Sequence, residues 1–172
     1  MAAIRLLLFT GARLNEIQTL KWDYVDFDKA MLRLPDSKTG AKSILLNGPA
    51  LQVLQSLPRF KDNPYVFVGR KAGRPMVGLQ KIWERIRAKA GLEDVRQHDL
   101  RHSYASTAVG AGYSLSITGK LLGHTQAATT QRYAHLADDP LRVATEAVGS
   151  RMVSIMEAQP TADVVQLKPR RK

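Results

Sequence analysis

The chain is organised around a stretch that begins His98-Asp99-Leu100-Arg101-His102, continues through Leu121-Leu122-Gly123-His124 and ends Gln131-Arg132-Tyr133. The pattern predicts a helix that opens near His98 and runs to Val109, where Gly110-Ala111-Gly112 stops it. Because His98 and Arg101 are one helical turn apart, a base and a permanent cation lie on about the same face. Such a pair suits a phosphate group.

The composition favours a polyanionic partner. The 172 residues suffice for one domain, and 26 Lys and Arg against 15 Asp and Glu give a formal net charge of +11. Nucleic acid is the first candidate, and an acidic membrane surface is the second. Since no apolar run approaches ~18 residues and the first apolar segment is too short for a signal sequence, we expect a cytoplasmic protein outside the membrane. The absence of cysteine excludes disulfides and thiolate metal sites.

Two helices are predicted at the start of the chain. Residues 4–9 are apolar, Thr10-Gly11-Ala12 interrupts them, and a second helical pattern begins at Arg13 with Ile17 and Leu20 inward. Free backbone N–H groups at a helix start, together with the guanidinium, favour an anion beside Arg13. A plain surface arginine is the alternative for this segment taken alone.

A small sheet should follow. Residues 22–27, 31–34 and 43–46 are strand candidates separated by turn sequences, and they predict a three-stranded antiparallel meander. Lys38 lies on the turn of the second hairpin, where a long cationic side chain can reach over a groove. Most turn lysines have no chemical role, and that alternative stays open here.

Much of the excess positive charge falls in residues 59–89, which hold nine Lys and Arg against two acidic residues. Residues 78–90 predict a helix with one apolar face and one basic face. We expect the basic side chains to contact a nucleic-acid backbone, although a solvated face is the usual alternative; the candidates are Arg74, Lys81 and Arg85.

Three further helices are predicted towards the C-terminus. Ser114 caps the first, which places Ile117 and Leu121 in the core and ends at Gly123; Thr125 caps a short second one that reaches Tyr133. The third opens at Asp139-Pro140 and carries an apolar stripe, Leu141, Ala144, Val148, Met152 and Ile155. We expect one domain over residues 1–158 and a flexible basic tail over residues 159–172.

Taken in order, five segments resemble the catalytic domain of the tyrosine recombinase (phage integrase) family. Each is weak alone, but the ordered set is specific: Thr10-Gly11-Ala12-Arg13-Leu14-Asn15-Glu16, Ser37-Lys38-Thr39-Gly40, His98-Asp99-Leu100-Arg101-His102, Leu122-Gly123-His124 and Thr130-Gln131-Arg132-Tyr133-Ala134-His135. The resemblance implies a mainly α-helical α+β fold with a small three-stranded antiparallel sheet near the N-terminus. It also implies a site-specific recombinase or integrase of a phage or mobile element, associated with the bacterial nucleoid.

The resemblance implies how a DNA phosphate would be held without a metal ion or cofactor. Arg13 and Arg101 would grip its non-bridging oxygens, and His124 would donate a further hydrogen bond. Glu16 would be a supporting carboxylate that takes no part in the chemistry. Two guanidiniums can offset the charge that grows on the phosphoryl oxygens, a role that metal ions fill in other transferases.

The resemblance also implies the covalent step. Tyr133 would attack phosphorus to form a 3′-phosphotyrosine link, His98 would accept its proton, and Lys38 would protonate the departing 5′-oxygen. A phenol with a pKa of ~10 needs a nearby base and a favourable electrostatic environment to react at neutral pH. His102 is expected to support the site or to be a satisfied buried histidine.

The expected partners are double-stranded DNA and other recombinase protomers, assembled as a synaptic tetramer on DNA, with a monomer or weak dimer in its absence. Only twelve residues precede Arg13, fewer than in a complete catalytic domain of this family. We therefore expect an N-terminally truncated form that binds DNA weakly by itself. The last helix could dock on a neighbouring protomer or pack on its own core.

Three other functions remain as alternatives. A zinc hydrolase would use His98 and His102, which are four residues apart, but Arg101 between them opposes a cation and no third ligand follows at a recognisable spacing. A non-catalytic DNA-binding relative would need the basic residues but not Tyr133. A type IB topoisomerase shares the chemistry and fits the spacing of the segments less well.

Overall fold

The computed structural model describes residues 1–36 and 40–157. Eight α-helices are found in these residues: α1 (Ala2–Thr10), α2 (Leu14–Gln18), α3 (Gly48–Gln55), α4 (Leu79–Lys89), α5 (Asp99–Gly110), α6 (Leu115–Leu122), α7 (Ala128–Gln131) and α8 (Asp138–Glu157). Strands β1 (Val25–Asp26), β2 (Met31–Leu34) and β3 (Lys42–Leu45) and two 3-10 helices (Trp22–Tyr24 and Ala134–Ala137) complete the described elements. The mainly helical α+β class is confirmed.

The three strands form the predicted antiparallel meander in the order β1-β2-β3. Leu32 pairs with Val25 on one side and Ile44 on the other. Side chains alternate along β2, so that Leu32 and Leu34 are buried and Arg33 is exposed. The first predicted strand was too long, because Trp22–Tyr24 forms a 3-10 helix before β1. The predicted site residue Lys38 lies outside the described residues.

Helix α1 lies at the centre of the main core, in contact with α3 and α5. Its Leu6 and Leu7 pack with Ile17 of α2 and Leu32 of β2. Helix α4 adds Leu79 and Trp83 to this core. Its basic face, Lys81, Arg85 and Lys89, is exposed, as its two-faced sequence pattern predicted. The sheet and the first four helices therefore share one apolar interior.

Gly11 lets α1 end directly against the C-terminal helices. It adopts a left-handed conformation with φ +61°, and an added Cβ would lie 2.7 Å from Cδ1 of Tyr104 and 2.9 Å from Cδ2 of Leu122. A larger residue would force α1 away from α5 and α6. The carbonyl group of Gly11 consequently lies beside Arg101, which donates to it.

The C-terminal helices differ from the prediction in which side chains are buried and in the residue at which a helix begins. Ser114 caps α6 and Gly123 ends it, as predicted. The placement of Ile117 in the core was wrong: it is 47% exposed, because α6 turns Thr118, Gly119 and Leu122 inward instead. Helix α7 begins at Ala128 rather than after a Thr125 cap.

Helix α8 leaves its apolar stripe uncovered. It begins at Asp138, one residue before the predicted cap, and contacts α5 and the 3-10 helix Ala134–Ala137. The stripe residues Leu141, Val148, Met152 and Ile155 are 58–62% exposed, so the stripe does not pack on the protein's own core. The predicted tail, residues 159–172, lies outside the described part of the chain. Over residues 1–36 and 40–157, no helix is both long and apolar enough to cross a bilayer.

Candidate active site

Arg101 joins three elements at one buried point. Its side chain projects from the first turn of α5 and is only 5% exposed. Nη1 donates to the carbonyl oxygen of Gly11 at 2.5 Å, and Nη2 donates to that of Leu122 at 2.8 Å. Burial, followed by the charge of Arg13, lowers the pKa of Arg101. A guanidinium is therefore fixed where α1 and α6 both end.

Glu16 holds two further cations beside Arg101. Its Oε2 accepts from the backbone N–H of Arg13 at 2.8 Å, and its Oε1 accepts from Nη1 of Arg13 at 3.1 Å and from Nζ of Lys42 at 2.7 Å. Burial raises the pKa of Glu16, but the hydrogen bonds from Lys42 and Arg13 outweigh it and leave that pKa below its usual value. Arg13 is the N-cap of α2, as predicted.

Lys42 was not predicted as a site residue. Only 10% of its side chain is exposed, and burial lowers its pKa against the opposing effect of Glu16. The sequence contained a signal: in a strand, Lys42 shares a face with Ile44, which is 3% exposed, and with Leu46, which is 6% exposed. A lysine on the apolar face of a strand predicts a buried anionic partner.

His124 lies next to the same cations, just after α6. Its Nδ1 is 2.9 Å from Oγ1 of Thr130. The approach of Thr130 depends on Gly119, since an added Cβ there would lie 2.9 Å from Oγ1. Burial, followed by the positive charges of Arg101, Arg13 and Lys42, lowers the pKa of His124 to about 4. Its imidazole is therefore neutral at neutral pH.

Tyr133 is buried and hydrogen-bonded in the smaller apolar cluster. It is 6% exposed and packs with Ala105, Val109 and Leu122. Its hydroxyl lies 2.5 Å from Nδ1 of His102. Burial raises the pKa of Tyr133 against the opposing charges of Arg132 and Arg101.

The rings of His98 and His102 meet edge to face, with centroids 4.8 Å apart. Burial lowers the pKa of both, and the charge of His102 adds to the effect on His98. The zinc alternative needed both imidazoles on one ion, and the contact of Nδ1 of His102 with Tyr133 leaves only its Nε2 for such an ion. Within residues 1–36 and 40–157, no three His, Cys, Asp or Glu residues are grouped so that they could hold a metal ion.

An open cavity of about 370 Å³ adjoins these residues, and its lining includes Ala12, Leu14, Gln80, Gln97, His98 and Arg101. Gln97 is 7% exposed, and neither its Oε1 nor its Nε2 has a hydrogen-bond partner in the described part of the chain. Sequence reasoning missed Gln97, because nothing in a local pattern distinguishes a buried amide from a surface one. Its two unsatisfied groups make it a candidate for contact with a polar ligand.

The structure therefore brings most of the predicted residues together. Arg13 and Arg101, together with Glu16 and the neutral His124, form one cluster of net positive charge, and Tyr133 with His102 borders it. Arg74, Lys81 and Arg85 stand apart on the exposed surface of α4 and the loop before it. Gln80, which precedes Lys81 at the start of α4, lines the cavity.

Known proteins resemble this chain in sequence and in structure. The model of the Phage integrase family matches residues 1–139. A tyrosine recombinase from Thermosipho africanus is 34% identical over 141 residues, which is 79% of this chain and 49% of that protein. The crystal structure of XerA recombinase superimposes with a TM-score of 0.67 at 26% identity and covers 92% of this chain and 56% of that one.

The XerH site-specific recombinase, in a post-cleavage complex with a palindromic difH substrate, has a TM-score of 0.66 at 26% identity. That likeness covers 91% of this chain and 45% of XerH. The chain thus spans about half the length of the relatives it matches. Since the family model covers most of its residues and the fold agrees, the chain belongs to the phage integrase family of tyrosine recombinases.

Proposed function

We propose that this chain is the catalytic domain of a site-specific recombinase or integrase that cleaves and rejoins double-stranded DNA through a 3′-phosphotyrosine. One observation carries the proposal: the cations Arg13 and Arg101, the neutral His124 and the phenol of Tyr133 converge on one region of the protein. Membership of the family and the DNA complex of XerH support it. The substrate would be bacterial or mobile-element DNA in the cytoplasm, at the nucleoid, and other protomers would join on it as a synaptic tetramer.

In the proposed complex, Arg13 and Arg101 hold the non-bridging oxygens of the scissile phosphate. If the hydroxyl of Thr130 donates to Nδ1 of His124, the proton of the neutral ring is on Nε2, which can donate to the same phosphate. Fixed donors of this kind stabilise the negative charge that develops in the transition state. Glu16 keeps Arg13 and Lys42 in place.

In the proposed reaction, Oη of Tyr133 forms a bond to phosphorus while the bond from phosphorus to the 5′-oxygen breaks. Lys38 donates the proton that the departing oxygen takes up. Because one phosphodiester replaces another, the reverse step can join a different strand without an added energy source. The chemistry needs no metal ion, since guanidiniums supply the positive charge.

A suicide DNA duplex tests the proposal, because a nick beside the cleavage position lets the released end diffuse away. The wild-type chain should form a denaturation-resistant protein–DNA adduct, and Tyr133→Phe should lose it while keeping its DNA binding. Tyr113→Phe is the matched control, since Tyr113 is 56% exposed and is not among the proposed site residues. DNA binding without any adduct would favour the non-catalytic relative. Supercoil relaxation without strand exchange would favour the topoisomerase.

Gln97→Met should change stability and DNA affinity in opposite directions. The variant removes two polar groups that have no partner in the described protein, so the free chain should gain up to about 1 kcal/mol in free energy of unfolding. Its affinity for duplex DNA should fall about tenfold, because a polar contact worth about 1.4 kcal/mol is lost. Urea denaturation and fluorescence anisotropy measure the two effects.

Gln55→Met on α3 is the control for Gln97→Met, because Gln55 is exposed. It should change neither quantity by more than about 0.5 kcal/mol. A loss of stability in Gln97→Met with unchanged DNA affinity would mean that the amide serves the fold alone.

A further inference from the structure

The hydroxyl of Tyr133 has a specific partner, and that partner is His102. Nδ1 of His102 lies 2.5 Å from Oη, and the two ring centroids are 5.9 Å apart. Tyr133 is 6% exposed, so its phenol is largely shielded from solvent that could take up its proton. His98 instead meets the ring of His102 edge to face and lines the cavity beside Arg101.

We propose that His102 accepts the proton of Tyr133 when the phenol attacks the DNA phosphate. This inference rests on the proposed function and moves the proton acceptor from His98, to which the family resemblance assigns it, one helical turn along α5. His98, at the rim of the cavity with Arg101, is then a contact for the phosphate. The distance of 2.5 Å between Nδ1 and Oη is the observation that distinguishes the two histidines.

The step balances without an added reactant. As the bond from Oη to phosphorus forms, the proton on Oη moves to Nδ1 of His102, which becomes an imidazolium. The bond from phosphorus to the 5′-oxygen breaks, and that oxygen takes its proton from the separate acid, assigned above to Lys38. Rejoining reverses both transfers, since the imidazolium returns its proton to the phenolate.

The surroundings of His102 keep its imidazole in the neutral form, which is the form that can accept a proton. For Nδ1 to be the acceptor, the neutral ring must carry its proton on Nε2. The charged and titratable groups around it are Arg96, His98, Asp99, Arg101, Arg132 and Tyr133. Burial and then Arg132 lower the pKa of His102, with Asp99 opposing, so the imidazole is neutral at neutral pH.

The pH dependence of His102→Asn tests the proposal. An asparagine can accept a hydrogen bond from the phenol but cannot take its proton. Near neutral pH, adduct formation on the suicide duplex should be about 100-fold slower than in the wild type. The deficit should shrink as the pH rises, because hydroxide then produces a growing share of the phenolate without a protein base, although burial keeps the pKa of Tyr133 above its ordinary value. His98→Asn is the matched variant, and its loss should stay constant above about pH 7, because the lowered pKa of His98 leaves its imidazole neutral throughout that range.

A DNA substrate with sulfur in place of the bridging 5′-oxygen separates the base from the acid. A thiolate leaves without being protonated, so this substrate should restore the rate of Lys38→Ala but not that of His102→Asn. Rescue of His102→Asn, or a deficit that stays constant with pH, would overturn the assignment to His102. If the wild-type chain formed no adduct at all, the proposed function would fail instead.

Nitrogen-15 NMR of the histidine rings gives a test that needs no activity. In the free wild-type chain, Nδ1 of His102 should be unprotonated and hydrogen-bonded, and Tyr133→Phe should change its chemical shift. A proton on Nδ1 would overturn the proposal even if His102→Asn failed to fold. Thermal unfolding by circular dichroism shows whether that variant keeps its fold.

Discussion

Replacing Arg101 with alanine should lower the free energy of unfolding by about 3 kcal/mol, because it removes two charge-assisted hydrogen bonds from a buried position. The carbonyl groups of Gly11 and Leu122 would lose their donor at the junction of α1, α5 and α6. Part of the loss is offset because the repulsion between Arg101 and Arg13 also disappears. Urea denaturation measures the change.

The same variant should form the covalent adduct at least about 100-fold more slowly, because a fixed donor to the phosphate is missing. The rate is compared at a temperature at which the variant is fully folded, so that lost stability does not appear as lost chemistry. Arg101→Lys keeps the charge but cannot span both carbonyl groups in the planar geometry of a guanidinium. It should therefore recover only part of the lost stability and only part of the lost rate of adduct formation.

Arg5→Ala on α1 provides the control, because Arg5 is exposed and its loss should change stability by no more than about 0.5 kcal/mol. If Arg101→Ala were as stable as Arg5→Ala, the two hydrogen bonds would contribute nothing. If it still formed the adduct at the wild-type rate, Arg101 would have no part in holding the phosphate.

Local sequence signals predicted the architecture well. Ser114 and Gly123 mark the two ends of α6 because a hydroxyl can cap the first turn and a glycine readily adopts the left-handed conformation after the last. The alternation of Leu32, Arg33 and Leu34 likewise sets the buried face of β2. Such signals act within a few residues of each other, and a single sequence contains them directly.

Contacts between distant residues were harder to predict. Ile117 was placed in the core because it is apolar, but the pairing of α6 with α7 through Gly119 and Thr130 decides which face turns inward. The contact between His102 and Tyr133 spans 31 positions and depends on how α5 meets the segment after α7. The resemblance to a family identified the reactive residues as one set, but it assigned the proton acceptor to His98, whereas His102 is the histidine in contact with the phenol.

The apolar stripe of α8 was also predicted only in part. Its period predicted an apolar face, and the structure has one, but Leu141 and Met152 are 62% and 58% exposed. Periodicity establishes that a face is apolar and says nothing about what covers it. Docking of α8 on a neighbouring protomer therefore stays a prediction.

Replacing Glu16 with glutamine should cost about 3 kcal/mol near neutral pH, because it leaves the buried ammonium of Lys42 without its carboxylate. Only 5% of the Glu16 side chain and 10% of the Lys42 side chain are exposed, so water screens the pair little. The nearby charges that remain, Arg13 and Arg101, are of the same sign as Lys42. Glu84→Gln is the control, since Glu84 is exposed on α4.

The loss of stability caused by Glu16→Gln should become smaller both above and below neutral pH. Burial already lowers the pKa of Lys42, and without Glu16 that pKa falls further. The folded variant then binds fewer protons than the unfolded chain, so its stability rises as the pH increases towards the ordinary lysine value. In acid, the wild type loses what Glu16 contributes, because its pKa in the folded chain lies below 4.5 and protonation ends the ion pair. The difference between the two proteins should therefore be largest near neutral pH.

A double-mutant cycle measures the interaction between Glu16 and Lys42 apart from the other contacts of each side chain. Lys42→Met should cost less than Glu16→Gln, because Glu16 keeps its hydrogen bonds from the backbone and the guanidinium of Arg13. The double variant should be more stable than the sum of the single losses predicts, since it leaves no unpaired ammonium in the interior. Strictly additive losses, or a Glu16→Gln deficit that is the same at every pH, would contradict a buried ion pair at this position.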